Sequence, residues 1–127
     1  MREIITRGEK TWQIVFGYGR LQRASHILSS NLPEAVKRHL TANPDIADAD
    51  AFKDVPLDEI LLYQQSTEPE IVRLVLQNAS DWDKSKVTVE EYVDDELPYD
   101  VAQEIVARVK AALARLNIPP EKKSLST

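Results

Sequence analysis

The sequence predicts a mainly helical α+β domain in which an N-terminal β-hairpin packs on a long C-terminal amphipathic helix, and three observations predict it. Val101, Ile105, Val109, Ala112, Leu113 and Leu116 recur at spacings of three and four, which lays one apolar stripe along a helix of period 3.6. Trp12, Ile14, Phe16 and Tyr18 alternate onto one face just after a turn at Gly8, the pattern of a half-buried strand. Between these ends, prolines and capping patterns divide the chain into short segments with apolar stripes of their own.

Taken in order, Ile4-Ile5-Thr6 and Thr11 to Phe16 form two short strands around the turn Arg7-Gly8-Glu9-Lys10. An isolated hairpin is marginal in water, so its aromatic face must lie against helices. A helix starts at Arg20 with Leu21, Ala24, Ile27 and Leu28 inward and stops near Ser29-Ser30. Asn31-Leu32-Pro33-Glu34 reads as a capping box with proline in the first turn, opening a short helix striped by Leu32, Val36 and Leu40 that ends by Asn43-Pro44. Residues 45 to 55 have only Ile46 and Phe52 as large anchors and read as a loop containing one helical turn. Pro56 then opens a short helix with Leu57, Ile60, Leu61, Leu62 and Tyr63, and Thr67-Glu68-Pro69-Glu70 caps a separate one.

That next helix, Ile71 to Leu76, is apolar on two faces, so it is either central to the core or offers one face to a partner. Trp82 anchors the polar connection that follows. Thr88-Val89-Glu90-Glu91 opens another short helix by capping logic, in competition with a strand from Val87 to Val93 that Glu90-Glu91 interrupts. The last helix runs from the Leu97-Pro98-Tyr99-Asp100 start, with Asp100 and Gln103 as its capping box, to Leu116. Asn117 at C′ and Pro119-Pro120 end it. Residues 1–118 form one domain, and residues 119–127 a flexible tail.

The length of 127 residues suits one core, and the absence of cysteine excludes disulfides and thiolate metal sites. No apolar run approaches the ~18 residues of a membrane span, and the N-terminus has no signal-like apolar region, so a soluble intracellular protein is expected. The net charge of -5 is unevenly spread, with +4 over residues 1–40, -12 over 41–100 and +3 over 101–127. The acidic middle is either a solvated face or a surface for head-to-tail self-association.

No catalytic residue, metal ligand or cofactor is assigned. His26 and His39 have no nucleophile or second ligand at a productive spacing. Asp48, Asp50 and Glu59 have calcium-loop spacing, but Phe52 and Lys53 occupy positions that need an oxygen ligand and a glycine. The carboxylates at Asp81 and Asp83, and at Asp94, Asp95 and Glu96, lie on connections without a group to tune them. Arg20, Arg23, Lys37 and Arg38 on two helices joined by a short turn outline a helix-turn-helix. Its second helix is poor in base-reading side chains and an acidic body lies behind it, which disfavours nucleic acid.

The stretch Gly8-Glu9-Lys10-Thr11-Trp12-Gln13-Ile14-Val15-Phe16-Gly17-Tyr18-Gly19-Arg20-Leu21 resembles the start of the tail assembly chaperones of long-tailed, lambda-like bacteriophages: a glycine-bearing turn, an alternating strand, an aromatic and a leucine-containing helix. Thr88 to Asp94, followed by the helix through Val109-Lys110-Ala111-Ala112-Leu113, is similar to that family's capped short helix and closing helix, so the resemblance covers about half the chain. It implies a non-enzymatic binding protein of the host cytoplasm, absent from the mature virion. Such a protein keeps the helical, apolar-rich tape measure protein soluble and recruits tail tube subunits, the latter mainly through a longer frameshifted product. Self-association along the tape measure fits the charge pattern. The role requires exposed apolar surface, for which Leu62, Tyr63, Val72 and Leu76 are the candidate partner-binding residues. A helix-turn-helix regulator and a non-catalytic helical adaptor are the alternatives.

Overall fold

A computed structural model describes residues 2–116. Its elements are β1 (Arg2–Arg7), β2 (Lys10–Val15), α1 (Tyr18–Ser30), α2 (Glu34–Ala42), α3 (Asp48–Phe52), α4 (Leu57–Val75), β3 (Leu76–Ala79), α5 (Val89–Asp95) and α6 (Tyr99–Leu116). This is a small α+β domain with the hairpin at its N-terminus and a long closing helix. The expected C′ residue Asn117, the Pro119-Pro120 stop and the tail lie outside the described residues.

Arg7 pairs with Lys10 across a two-residue turn whose first position, Gly8, has φ +63, a conformation that suits glycine and the twist of paired strands. Period-two alternation places Ile5, Trp12 and Ile14 on the inner face and leaves Ile4 outside. Phe16 is also buried, but Tyr18 is exposed, because helix α1 begins there and the alternation ends. The sheet has a third strand that the sequence reading missed. β3 pairs antiparallel with β2, giving the order β1-β2-β3, and the register slips between Gln13 and Ile14. Ser80 extends the pairing, its N–H donating to Thr11 O and its Oγ accepting from Thr11 N.

The inner sheet face, α1, the second half of α4, α5 and α6 enclose the main core, which holds Ile5, Trp12, Ile14, Phe16, Leu21, Ile71, Val72, Val75, Tyr92, Val101, Ile105 and Val109. The hairpin also binds α6 through charge. Arg108 reaches Glu3 and Glu104 at 2.9 Å each, and Arg7 reaches Asp100 at 3.5 Å and Glu104 at 3.4 Å. A smaller second cluster forms around Val36, Ala51 and Val55, joined by Leu32, Leu40, Phe52 and Ile60.

Three expected helix caps differ from the structure, and α1 begins at Tyr18, two residues before the expected Arg20. α2 begins after Pro33, its N-cap, without a side-chain cap, because Asn31 stands two residues earlier as the C-cap of α1, where its Nδ2 donates to Thr67 Oγ1 at 3.2 Å. Asp100 lies within the first turn of α6, where it meets Arg7. Thr67 to Glu70 starts no helix, since α4 continues through Pro69. An interior proline costs ~3 kcal/mol of helix propensity. Continuity here carries Thr67 and then Ile71, Val72 and Val75 into the core on one rigid element, which offsets that cost. The box at Thr88 and Glu91 is present with both reciprocal bonds, so α5 forms and the rival strand does not.

Candidate functional site

The two apolar clusters do not merge completely, and an open cleft of about 530 Å³ lies along their seam. Leu28, Val106 and Leu113 reach it from the main core, and Leu32, Val36, Leu40, Ala51, Phe52 and Ile60 from the smaller one. α1 and α6 both pack on α4, while α2 and α3 pack on each other, so two helical layers meet edge to edge over the first half of α4. Tyr63 stands at that junction. Its hydroxyl donates to Leu28 O at 2.9 Å, and its ring lies 5.8 Å from that of Phe52 at 44°.

Few polar groups line the cleft. Ser25, Ser29, Gln64, Thr67, Glu68 and Lys110 do so, with Glu68 accepting from Gln103 Nε2 at 2.8 Å. Behind the wall, His39 Nδ1 lies 3.0 Å from Ala51 O, which sets the neutral ring as the tautomer protonated at Nδ1. Among the described residues, no group of three or more His, Asp or Glu could hold a metal ion, and no helix is long and apolar enough to cross a membrane. What this surface can do is remove apolar side chains of another molecule from water.

The cleft has a lip. Leu57, Leu61, Gln64 and Glu68 stand at i, i+4, i+7 and i+11 of α4, one stripe about 17 Å long. Gln64 and Glu68 line the cleft, so Leu57 and Leu61 continue its edge, and they are 71% and 46% exposed. The stripe is visible in the sequence, but its apolar members read there as part of a spread-out helix rather than an edge.

A polar relay lies elsewhere, under the sheet. Trp12 Nε1 donates to Tyr92 Oη at 2.8 Å, and Tyr92 Oη donates to Asp81 Oδ1 at 2.6 Å. Burial, reinforced by the bond to Asp81, pushes the Tyr92 phenol well above its ordinary pKa. Trp82 stacks on Tyr92 at 5.2 Å and donates to Val87 O at 2.8 Å, acting as the expected loop anchor. This relay joins β2 to the connection before α5. It is a structural device.

The four candidate partner-binding residues separate. Val72 is 0% and Leu76 5% exposed, so neither can meet a partner in this fold. The reason is that α4 runs through Pro69 and turns into β3, which closes both helix faces at that end. Leu62 is 65% exposed but lies on α4 away from the cleft-lining stripe, and Tyr63 is half-buried in the cleft wall. Of the helix-turn-helix cations, Arg20 donates to Leu74 O and Lys37 lies 4.0 Å from Glu34, while Arg23 and Arg38 are exposed. The chain matches no family model, no curated protein and no solved structure.

Proposed function

We propose that this protein works by contact, as a tail assembly chaperone that seats apolar segments of a helical tape measure protein in the cleft between α1, α2, α4 and α6. The observation that carries the reading is an open apolar cleft continued by an exposed leucine lip. The resemblance of the hairpin and closing helix to phage tail chaperones supports the identity of the partner. In this reading the chain catalyses nothing, acts in the host cytoplasm and leaves before the virion matures. A longer product recruits the tail tube protein. Helix-in-groove docking needs apolar anchors at i, i+3 or i+4 and i+7, which a tape measure helix supplies.

Co-expression with the tape measure protein of a long-tailed phage tests the reading, with the soluble fraction and co-purification as readouts. Wild type is expected to hold the partner in solution. Leu57→Asp combined with Leu61→Asp is expected to lose it while the thermal melt of the isolated protein is unchanged, because both side chains are exposed. Full burial of a leucine contributes ~1.5–3 kcal/mol, so loss of two lowers affinity by well over tenfold. Arg23→Glu with Arg38→Glu is expected to leave solubilisation intact. An insoluble partner beside wild-type protein, or a lip variant as effective as wild type, overturns the proposal.

A further inference from the structure

We infer that the helix this cleft takes is a basic amphipathic one, with lysine or arginine on the flank that lies over the lip of α4. The inference rests on the cleft being a helix-binding site and adds the charge of the occupant.

The approach to the lip is acidic. Asp45, Asp50, Asp54, Asp58 and Glu59 are exposed on α3, the start of α4 and their connections, with Lys53 as the cation among them. Among the described residues, none of these five carboxylates has an ion-pair partner. The acids around the sheet differ in this respect, since Glu3, Asp81, Asp94, Asp100 and Glu104 each meet an arginine or lysine. Asp58 and Glu59 lie in the first turn of α4, where negative charge complements the helix dipole. That accounts for two of the five and leaves Asp45, Asp50 and Asp54 without an internal role. Asp54, Asp58 and Glu59 adjoin Leu57 in the chain, so like charge gathers beside the exposed apolar edge, and a cationic partner relieves the repulsion as its apolar face covers Leu57 and Leu61. Glu68, at the far end of the stripe, offers the partner one more carboxylate, and Lys110 accommodates one acidic residue of the occupant.

Two labelled helical peptides with the same leucine stripe over four turns, one with lysine and one with glutamate on the polar face, test this by fluorescence anisotropy on the full chain. The lysine peptide is expected to bind at least tenfold more tightly at low salt, with the gap closing as salt rises. Asp54→Lys, Asp58→Lys and Glu59→Lys together are expected to reverse the preference. Reversing three exposed acids remote from the cleft, Glu9→Lys, Glu90→Lys and Asp95→Lys, is expected to leave it in place, which separates a local site from net charge. Equal binding of both peptides, binding of neither, or equal effects of the two triple variants overturns the inference. Its failure is distinct from failure of the chaperone reading. A tape measure protein kept soluble by a cleft indifferent to peptide charge removes only the inference. Lysine-peptide binding without solubilisation removes only the chaperone role.

Discussion

Tyr92→Phe removes one oxygen and tests the relay that joins the sheet to α5. That oxygen accepts from Trp12 Nε1 and donates to Asp81, and Trp12 is 1% exposed, so water cannot replace the lost acceptor. An orphaned buried N–H costs ~1–3 kcal/mol, and the bond to the solvent-accessible Asp81 contributes ~1 kcal/mol more, which gives a destabilisation of roughly 2–4 kcal/mol. For a domain of this size about 4 °C of Tm accompanies each kcal/mol, so a fall of roughly 8–16 °C is expected. Urea unfolding monitored by circular dichroism measures the free energy directly, with the m-value unchanged. Trp12→Phe in the same background removes the orphaned donor, so the two substitutions together should cost less than the sum of each alone. A pH series adds an independent check. The folded phenol holds its proton above the ordinary tyrosine value of 10.0, so its contribution is complete below that pH and is lost as pH rises through the folded value. Wild type should therefore lose more stability than Tyr92→Phe above pH ~10. A cost below ~0.5 kcal/mol together with parallel alkaline limbs would refute the reasoning.

Substitutions at four other positions test the path of α4, its packing and the charge network on α6. Pro69→Ala should stabilise by about 1–2 kcal/mol in urea, because it restores a helical N–H at an interior position and gives back some ring packing; a loss of stability would show that Pro69 is needed for the path of α4. Val72→Ala should cost about 2 kcal/mol and Val72→Asp should unfold the domain, whereas Leu62→Asp should move the midpoint by less than ~0.5 kcal/mol, all read from the same urea curves. Arg108, and to a smaller degree Arg7, hold the Glu104 carboxyl below its ordinary pKa of 4.5, so that pair stabilises above the unfolded carboxylate range and is lost as pH falls through the lower folded value. Glu104→Gln should accordingly flatten the acid limb of the stability profile, and an unchanged limb would show the network to be idle.

The parts of the fold legible in the sequence are those specified locally. Gly8 sets the hairpin turn, Thr88 and Glu91 cap α5 within four residues, and the stripe from Val101 to Ala112 declares the buried face of α6. What was not legible depends on distant partners. β3 is four residues, Leu-Gln-Asn-Ala, with no β-branched side chain, and it is a strand because β2 offers it an edge. Thr67 with Glu70 and a proline between them imitates a helix start, yet Thr67 is buried and its hydroxyl receives the Asn31 amide from the connection between α1 and α2. The same misreading made Val72 look available. The cleft is assembled from side chains between residues 25 and 113, whose aliphatic members, such as Leu28, Val36 and Leu113, read locally as core, and only the incomplete joining of two clusters leaves it open.

In the proposed mode of binding, an apolar helix docks along α4 in this cleft. Backbone amide NMR shifts mapped during titration with the tape measure segment, or with the lysine-faced peptide, test it most directly. Changes are expected to cluster at Leu28, Leu32, Leu40, Leu57, Leu61 and Leu113, with the outer sheet face around Ile4 and Gln13 silent. Saturable binding whose shifts fall on the sheet or on α5, with the cleft unmoved, would contradict it.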